Sequence, residues 1–206
     1  MYRDMLAAYG HELSLEDYAQ NYSGKVLFEN LDYLIAQFDL PFVPADGAKM
    51  LFSMEKEYIK KGVALKPGAR ELLQYLKESR YRIVLATSST RARAMEILMQ
   101  NQVADFFEEM VFGTEVERGK PYPDIFLKAC EKTGEKPQDC LILEDSEAGI
   151  RAAYAAGIPV ICIPDMKKPG EKFEDIPERI LVTLHEVIGY LKQNCCRTEE
   201  FSKSGE

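Results

Sequence analysis

The chain lacks the features that would place it in a membrane, outside the cell or on nucleic acid. No stretch of its 206 residues approaches ~18 consecutive apolar positions, so no membrane-spanning helix is expected. The N-terminus shows no secretory-signal pattern. Positive charge is in deficit: 26 Lys and Arg face 34 Asp and Glu, for a net charge of −8. That balance gives no general electrostatic case for nucleic acid or an anionic membrane, and an anionic substrate would need a local basic pocket. The five cysteines, Cys130, Cys140, Cys162, Cys195 and Cys196, are odd in number and have no zinc-type spacing. Three of them lie in or near apolar runs, which fits a reduced, cytoplasmic setting. No Gly-x-Gly-x-x-Gly follows any expected strand, which disfavours a dinucleotide binder. No internal repeat is found.

With 46% hydrophobic residues, the chain can bury a sizeable core. Residues 1–64 read as amphipathic helices. Met5, Leu6 and Tyr9 form one stripe, and Ser14 to Asp17 has the form of a capping box. Leu27, Leu31, Leu34, Ile35 and Phe38 recur at helical spacing. A further helix is expected from about Asp46 to Lys61. From Leu65 to residue 194 the pattern changes to alternating helix and strand. Apolar runs at Ile83–Leu85, Met110–Phe112, Leu141–Leu143 and Val160–Ile163 predict strands, with a short strand at Ile180–Val182. Helices are expected between them, the last over Leu184–Gln193. Alternation of this kind predicts an α/β fold with a parallel sheet covered on both faces. Residues 195–206 read as a polar, disordered tail.

Three of the expected strands end in residues suited to one chemistry. Thr87 and Ser88 follow an apolar strand, where hydroxyls and turn amides can donate to phosphate oxygens; they could equally cap the next helix. Lys120 sits among Gly119, Pro121 and Pro123, which fix the backbone and aim the lysine. A lysine is a point-charge phosphate binder. Glu144 and Asp145 stand side by side at the end of an apolar strand, just before Ser146 opens a helix. Adjacent carboxylates repel unless a cation or protons intervene, and Mg²⁺ prefers such oxygen ligands. The plainer alternative is a pair of solvated acids at a helix N-terminus. Hydroxyl, lysine and paired acids at strand ends suit phosphoryl transfer.

The order Leu85-Ala86-Thr87-Ser88-Ser89, then Gly119-Lys120-Pro121-x-Pro123-Asp124, then Leu143-Glu144-Asp145-Ser146-x-x-Gly149 resembles the haloacid dehalogenase (HAD) superfamily. More narrowly, it resembles the β-phosphoglucomutase-like phosphatases over about residues 1–190. The resemblance implies a Rossmann-like parallel-sheet core and a small all-α helical cap, with the cap in residues 1–64 and the core in 65–194. It implies that Thr87 binds phosphate, that Lys120 is the catalytic lysine, and that Glu144 and Asp145 hold Mg²⁺. It also places Ser23, Gly24 and Lys25 where the cap loop meets substrate.

The family's first motif, an Asp-x-Asp on the first core strand, occurs nowhere in this chain. Its first Asp is the family's nucleophile and its second the general acid/base. By the resemblance, that first core strand would lie between the strands ending at Thr87 and Asp145. Without it, two strands lack a ladder partner. Unpaired buried backbone groups cost about 1–3 kcal/mol each, a sum that rivals the ~5–15 kcal/mol stability of a domain. The expectation is therefore an N-terminally incomplete version of a Mg²⁺-dependent phosphatase, inactive as it stands. The substrate would be a small phosphorylated metabolite such as a sugar phosphate, and the protein is expected to be a monomer. A β-phosphoglucomutase-type activity ranks second, because Gly24 to Phe28 contains no arginine and Lys25 lacks the guanidinium fork. Dehalogenation has no need of the paired acids. A non-catalytic HAD-like binding protein is the alternative from another class.

Overall fold

The change of pattern near Leu65 falls at the junction of two units, Met1–Val63 and Ala64–Glu206. The computed structural model describes residues 1–22, 26–165 and 168–203, with side chains described as far as 194. Ser23, Gly24 and Lys25, the expected cap-loop residues, lie outside the described residues, as do the side chains of Cys195 and Cys196.

The first unit contains helices α1 (Tyr2–Ala7), α2 (Leu15–Asn21), α3 (Leu27–Phe38) and α4 (Pro44–Lys61). Ser14 caps α2, its Oγ accepting from the Asp17 N–H at 2.9 Å. The stripe on α3 works as its spacing predicts: Leu31 and Leu34 are fully buried, and Leu27, Ile35 and Phe38 pack around them. α4 begins at Pro44, two residues before the expected Asp46, because proline suits a first helical turn that has no N–H to satisfy.

The second unit runs α5 (Ala69–Glu78), β1 (Val84–Thr87), α6 (Arg91–Gln100), β2 (Glu109–Phe112), α7 (Asp124–Thr133), β3 (Ile142–Glu144), α8 (Glu147–Ala156), β4 (Val160–Cys162), α9 (Glu171–Glu174), β5 (Arg179–Ile180) and α10 (Leu184–Lys203). Gly68, at φ 84°, turns the chain into α5, and a Cβ there would overlap the backbone of His185. The last strand is Arg179–Ile180, shifted toward the N-terminus from the expected Ile180–Val182. α10 continues past Gln193 to Lys203, through the stretch read as a tail. Arg197, Glu199, Glu200 and Lys203 are good helix formers there.

Every strand pair is parallel. β1 pairs with β2 from Val84↔Glu109 to Thr87↔Phe112. β3 pairs with β4 from Ile142↔Val160 to Glu144↔Cys162, and β4 pairs with β5. The described strands form two sheets, β1-β2 and β3-β4-β5, rather than one. Period-two alternation sends Ile142, Val160 and Cys162 to a core shared with α7 and α8. Ile161, Ile163, Leu141 and Leu143 turn to the other face, against residues of α5 and α10. Helices therefore cover both faces, as the sequence implies.

β1 and β3 both line a cavity of about 1150 Å³. β1 has the apolar sequence of a doubly covered strand, yet Val84, Leu85 and Ala86 are only half-buried, whereas all of β4 is buried. No helix of the described residues is long and apolar enough to cross a membrane.

Candidate active site

The carboxyl ends of β1 and β3 are joined by one side chain. Lys120, on the loop before α7, is nearly buried, with 12% of its side chain exposed. Its ammonium forms an ion pair with Glu144 Oε1, donates to the Ala86 carbonyl at 3.4 Å, and lies 4.8 Å from the centre of the Phe126 ring. The loop that carries it is braced. Arg118 grips Asp124 through two bonds, at 3.1 and 3.0 Å, and its guanidinium stacks 4.7 Å from the Tyr122 ring. A forked pair of this kind fixes both ends of a seven-residue loop, so Lys120 is aimed by structure as well as by its glycine and prolines.

Thr87 ends β1. Its Oγ1 accepts from the Ser89 N–H at 3.1 Å, a local turn bond. The capping role that could have accounted for Thr87 belongs instead to Thr90, whose hydroxyl accepts from Arg93 N–H at the start of α6. Ser88 is exposed beside Thr87. Thr87, Ser88, Lys120, Glu144 and Asp145 all line the cavity described above, so the structure brings these expected residues together.

The two acids differ in what they do. Glu144 is buried, and Oε2 accepts from the Asp145 N–H at 3.2 Å, the Ser146 N–H at 3.3 Å and the Ser146 hydroxyl at 3.0 Å. The start of α8 thus wraps one oxygen while Lys120 holds the other. Gly149 makes this possible, because a Cβ at that position would overlap the Glu144 carboxylate. Asp145, with 49% of its side chain exposed, lies 3.6 Å from the Lys66 ammonium, which also lies 3.3 Å from Asp165. Lys66 and Asp165 were not expected at the site. Asp165 follows the apolar run Val160–Ile163, and a carboxylate at a strand's carboxyl end was a signal available in the sequence. Lys66 lies 79 residues before Asp145, and no local pattern links the two.

Among the described residues, no three His, Cys, Asp or Glu side chains gather as a ready metal cage. The donors present nevertheless fit a hard cation of the Mg²⁺ type, which keeps several waters and takes one or two carboxylates from the protein. Asp145 has the accessible oxygens for this role; a ligating Glu144 would have to share with Lys120. The same acids act on Cys162, whose thiol is pushed up to about 11, first by burial and then by the charges of Asp145 and Glu144.

The chain matches the family model of the haloacid dehalogenase-like hydrolases over residues 2–163. It is 29% identical to the phosphorylated carbohydrates phosphatase of Thermotoga maritima over 93% of this chain and 89% of that protein. With the β-phosphoglucomutase of Bacillus subtilis it shares 43% identity over 46% of this chain and 41% of that protein. A solved HAD family hydrolase of Deinococcus radiodurans, with bound phosphate and sodium, superposes with a TM-score of 0.76 at 26% identity, covering 93% of this chain and 86% of the other.

Proposed function

Because the chain belongs to the haloacid dehalogenase-like hydrolases, we propose that it forms the body of a Mg²⁺-dependent phosphatase for small phosphorylated metabolites, sugar phosphates first among them. The observation that carries this reading is Lys120, held by Glu144 between the strand ending in Thr87 and the strand ending beside Asp145. A similar relative acts, by its name, on phosphorylated carbohydrates.

In this reading Thr87 and Ser88 receive the phosphate oxygens. The Lys120 ammonium offsets the charge that spreads over the transferring phosphoryl group. Glu144 positions Lys120, and Asp145 is the accessible ligand for Mg²⁺. Bound Mg²⁺ would supply charge neutralisation and orientation of the phosphate. The helical unit, residues 1–63, takes the part of the family's cap. The covalent step needs an aspartate. Its carboxylate attacks phosphorus, the ester P–O bond breaks, and the sugar oxygen leaves with a proton given by the motif's second Asp, which regains one from the water of the next step. Water then splits the acyl phosphate to return carboxylate and inorganic phosphate. Since no Asp-x-Asp occurs in these 206 residues, they do not turn over alone, and the aspartate is supplied from outside them.

The test is phosphate release from a panel of sugar phosphates with Mg²⁺, using this chain alone and this chain fused to a strand bearing Asp-x-Asp. The fused protein is expected to be active, and Lys120→Ala and Asp145→Asn should each abolish release. Turnover by the fused protein that neither substitution changes would refute the reading.

A further inference from the structure

Two thiols meet at the amino end of β3, away from the acids at its carboxyl end. Cys130 lies in the second half of α7, and Cys140 comes ten residues later, just before β3. Their sulfurs are in contact at 3.8 Å. The segment between them is held by bonds that involve neither sulfur. Gly134, at φ 73°, ends α7 and turns the chain back. Arg82 bonds to the Thr133 carbonyl and reaches Glu135 at 3.2 Å. A short turn over Pro137–Asp139 follows, and the Cys140 N–H donates to the Pro137 carbonyl at 3.2 Å. The Ile142 N–H then donates to the Pro159 carbonyl at 2.8 Å, where β3 meets β4. The backbone therefore imposes the thiol contact, and two groups held this way react with each other at a high effective concentration.

Buried cysteines often serve as small apolar side chains. That accounts for Cys162, fully buried in β4, and by itself would account for Cys130. Cys140 is different: it is half-buried, it follows a polar turn, and its sulfur lies against that of Cys130. Its thiol also donates to the Lys136 carbonyl at 3.3 Å. The two exposures assign an order of reaction. A dissolved reagent can reach Cys140, whereas Cys130, only 8% exposed among Phe126, Ile142 and their neighbours, is reached through Cys140.

We propose that Cys130 and Cys140 form a reversible redox pair, oxidised to a disulfide by a low-molecular-weight disulfide of the glutathione type, with Cys140 attacking and Cys130 resolving. Cys140 gives up its proton, and its thiolate attacks one sulfur of the reagent. The reagent's S–S bond breaks, and one glutathione leaves as a thiolate that takes up a proton. Cys130 then gives up its proton, its sulfur attacks the Cys140 sulfur, and the second glutathione leaves in the same way. The pair is oxidised by two electrons, and the reagent is reduced to two thiols. Burial, and after it the Cys130 thiol alongside, pushes the Cys140 thiol up to about 11. Little thiolate is then present at neutral pH, so the exchange is slow and answers to sustained oxidation. The new bond would fasten α7, which packs on β1 and β2, to the segment that enters β3. The pair stands apart from the phosphatase reading and does not depend on it.

The test uses the whole chain carrying Cys195→Ser and Cys196→Ser, which leaves Cys130, Cys140 and Cys162 as its thiols. It is incubated, folded, with excess oxidised glutathione at pH ~8.5, where an ordinary thiol is half ionised. Peptide mapping without reductant should find Cys130 joined to Cys140 and Cys162 still reduced, and dithiothreitol should reverse the change. Closing a loop of this size should raise the Tm by about 5 °C. Cys130→Ala, which lacks the resolving thiol, should instead hold glutathione on Cys140, and Cys140→Ser should take up none. The mapping of the chain with both thiols decides the matter even where a variant folds poorly. Three results overturn the proposal: no crosslink in the folded protein, whether or not Cys140 carries glutathione; a crosslink that forms only after unfolding in urea; or an oxidised protein that melts below the reduced one, which would mean that the native contact does not suit the bond.

Discussion

Replacing Lys120 by methionine tests whether the ion pair with Glu144 organises the site. Both partners are nearly buried, with 12% and 7% of their side chains exposed. Removing one member of a buried pair costs about 3–5 kcal/mol, because the other charge is left in low dielectric. Here Glu144 keeps three donors on Oε2, and the methionine still covers the Phe126 ring, so the lower end of that range, about 3 kcal/mol, is expected. Glu144→Gln leaves the ammonium beside the Ala86 carbonyl and over the ring, and about 2 kcal/mol is expected. The double variant should cost about 3 kcal/mol rather than the sum, a coupling of roughly 2 kcal/mol, typical of residues in contact. Urea unfolding followed by circular dichroism at neutral pH gives all four corners of the cycle. The coupling should persist between ~0.15 M and ~1 M salt, since a buried pair is little screened. Additivity within ~0.5 kcal/mol, or a cost for Lys120→Met below ~1 kcal/mol as for exposed pairs, would refute the reasoning.

Gly149→Ala gains some helix propensity but forces a methyl into the Glu144 carboxylate; a net loss of about 1–2 kcal/mol is expected, read as a lowered Tm. Cys162, with its thiol at about 11, should resist iodoacetamide at mildly alkaline pH until the protein is unfolded, as peptide mass mapping would show; rapid labelling of the native protein would contradict its burial. The folded chain holds that proton after the unfolded chain has released its own, so stability should fall as pH rises from about 8.5 toward 11. Cys162→Ala should flatten that fall, and Cys140, also at about 11 chiefly through burial, accounts for part of what remains. Ser14→Ala removes the α2 cap bond and should cost about 1 kcal/mol in thermal unfolding.

The strands could be read from their apolar runs because a doubly covered parallel strand has little else in it, and their parallel direction followed from the intervening helices. Thr87 and the acid pair stood out because each sits where a strand stops, and Lys120 because a glycine and two prolines flank it. What could not be read is anything set by distance along the chain. Lys66 meets Asp145 and Asp165 only after folding. Sequence spacing treats Glu144 and Asp145 as equivalent neighbours, but strand alternation buries one and exposes the other. The hydroxyls of Thr87 and Thr90 look alike in sequence, and only the backbone geometry shows that Thr90 is the helix cap. The edges of β5 and α10 were set by register and helix propensity beyond the reach of short apolar patterns.

Helix α7 packs on β1 and β2 and against α8, and its core joins Val111 to Ile142. It works as a splice plate over the joint between the two sheets. Backbone ladders resist sliding because each bond has a direction, whereas side-chain packing resists separation more than shear. Among the described strands no backbone ladder crosses this joint, so side-chain contacts hold the two sheets together there. Ile125, Phe126 and Cys130 belong to the core that fills that joint, so trimming any of them would loosen the join between the two halves of the site, and trimming Phe126 would also take the ring from beside the Lys120 ammonium.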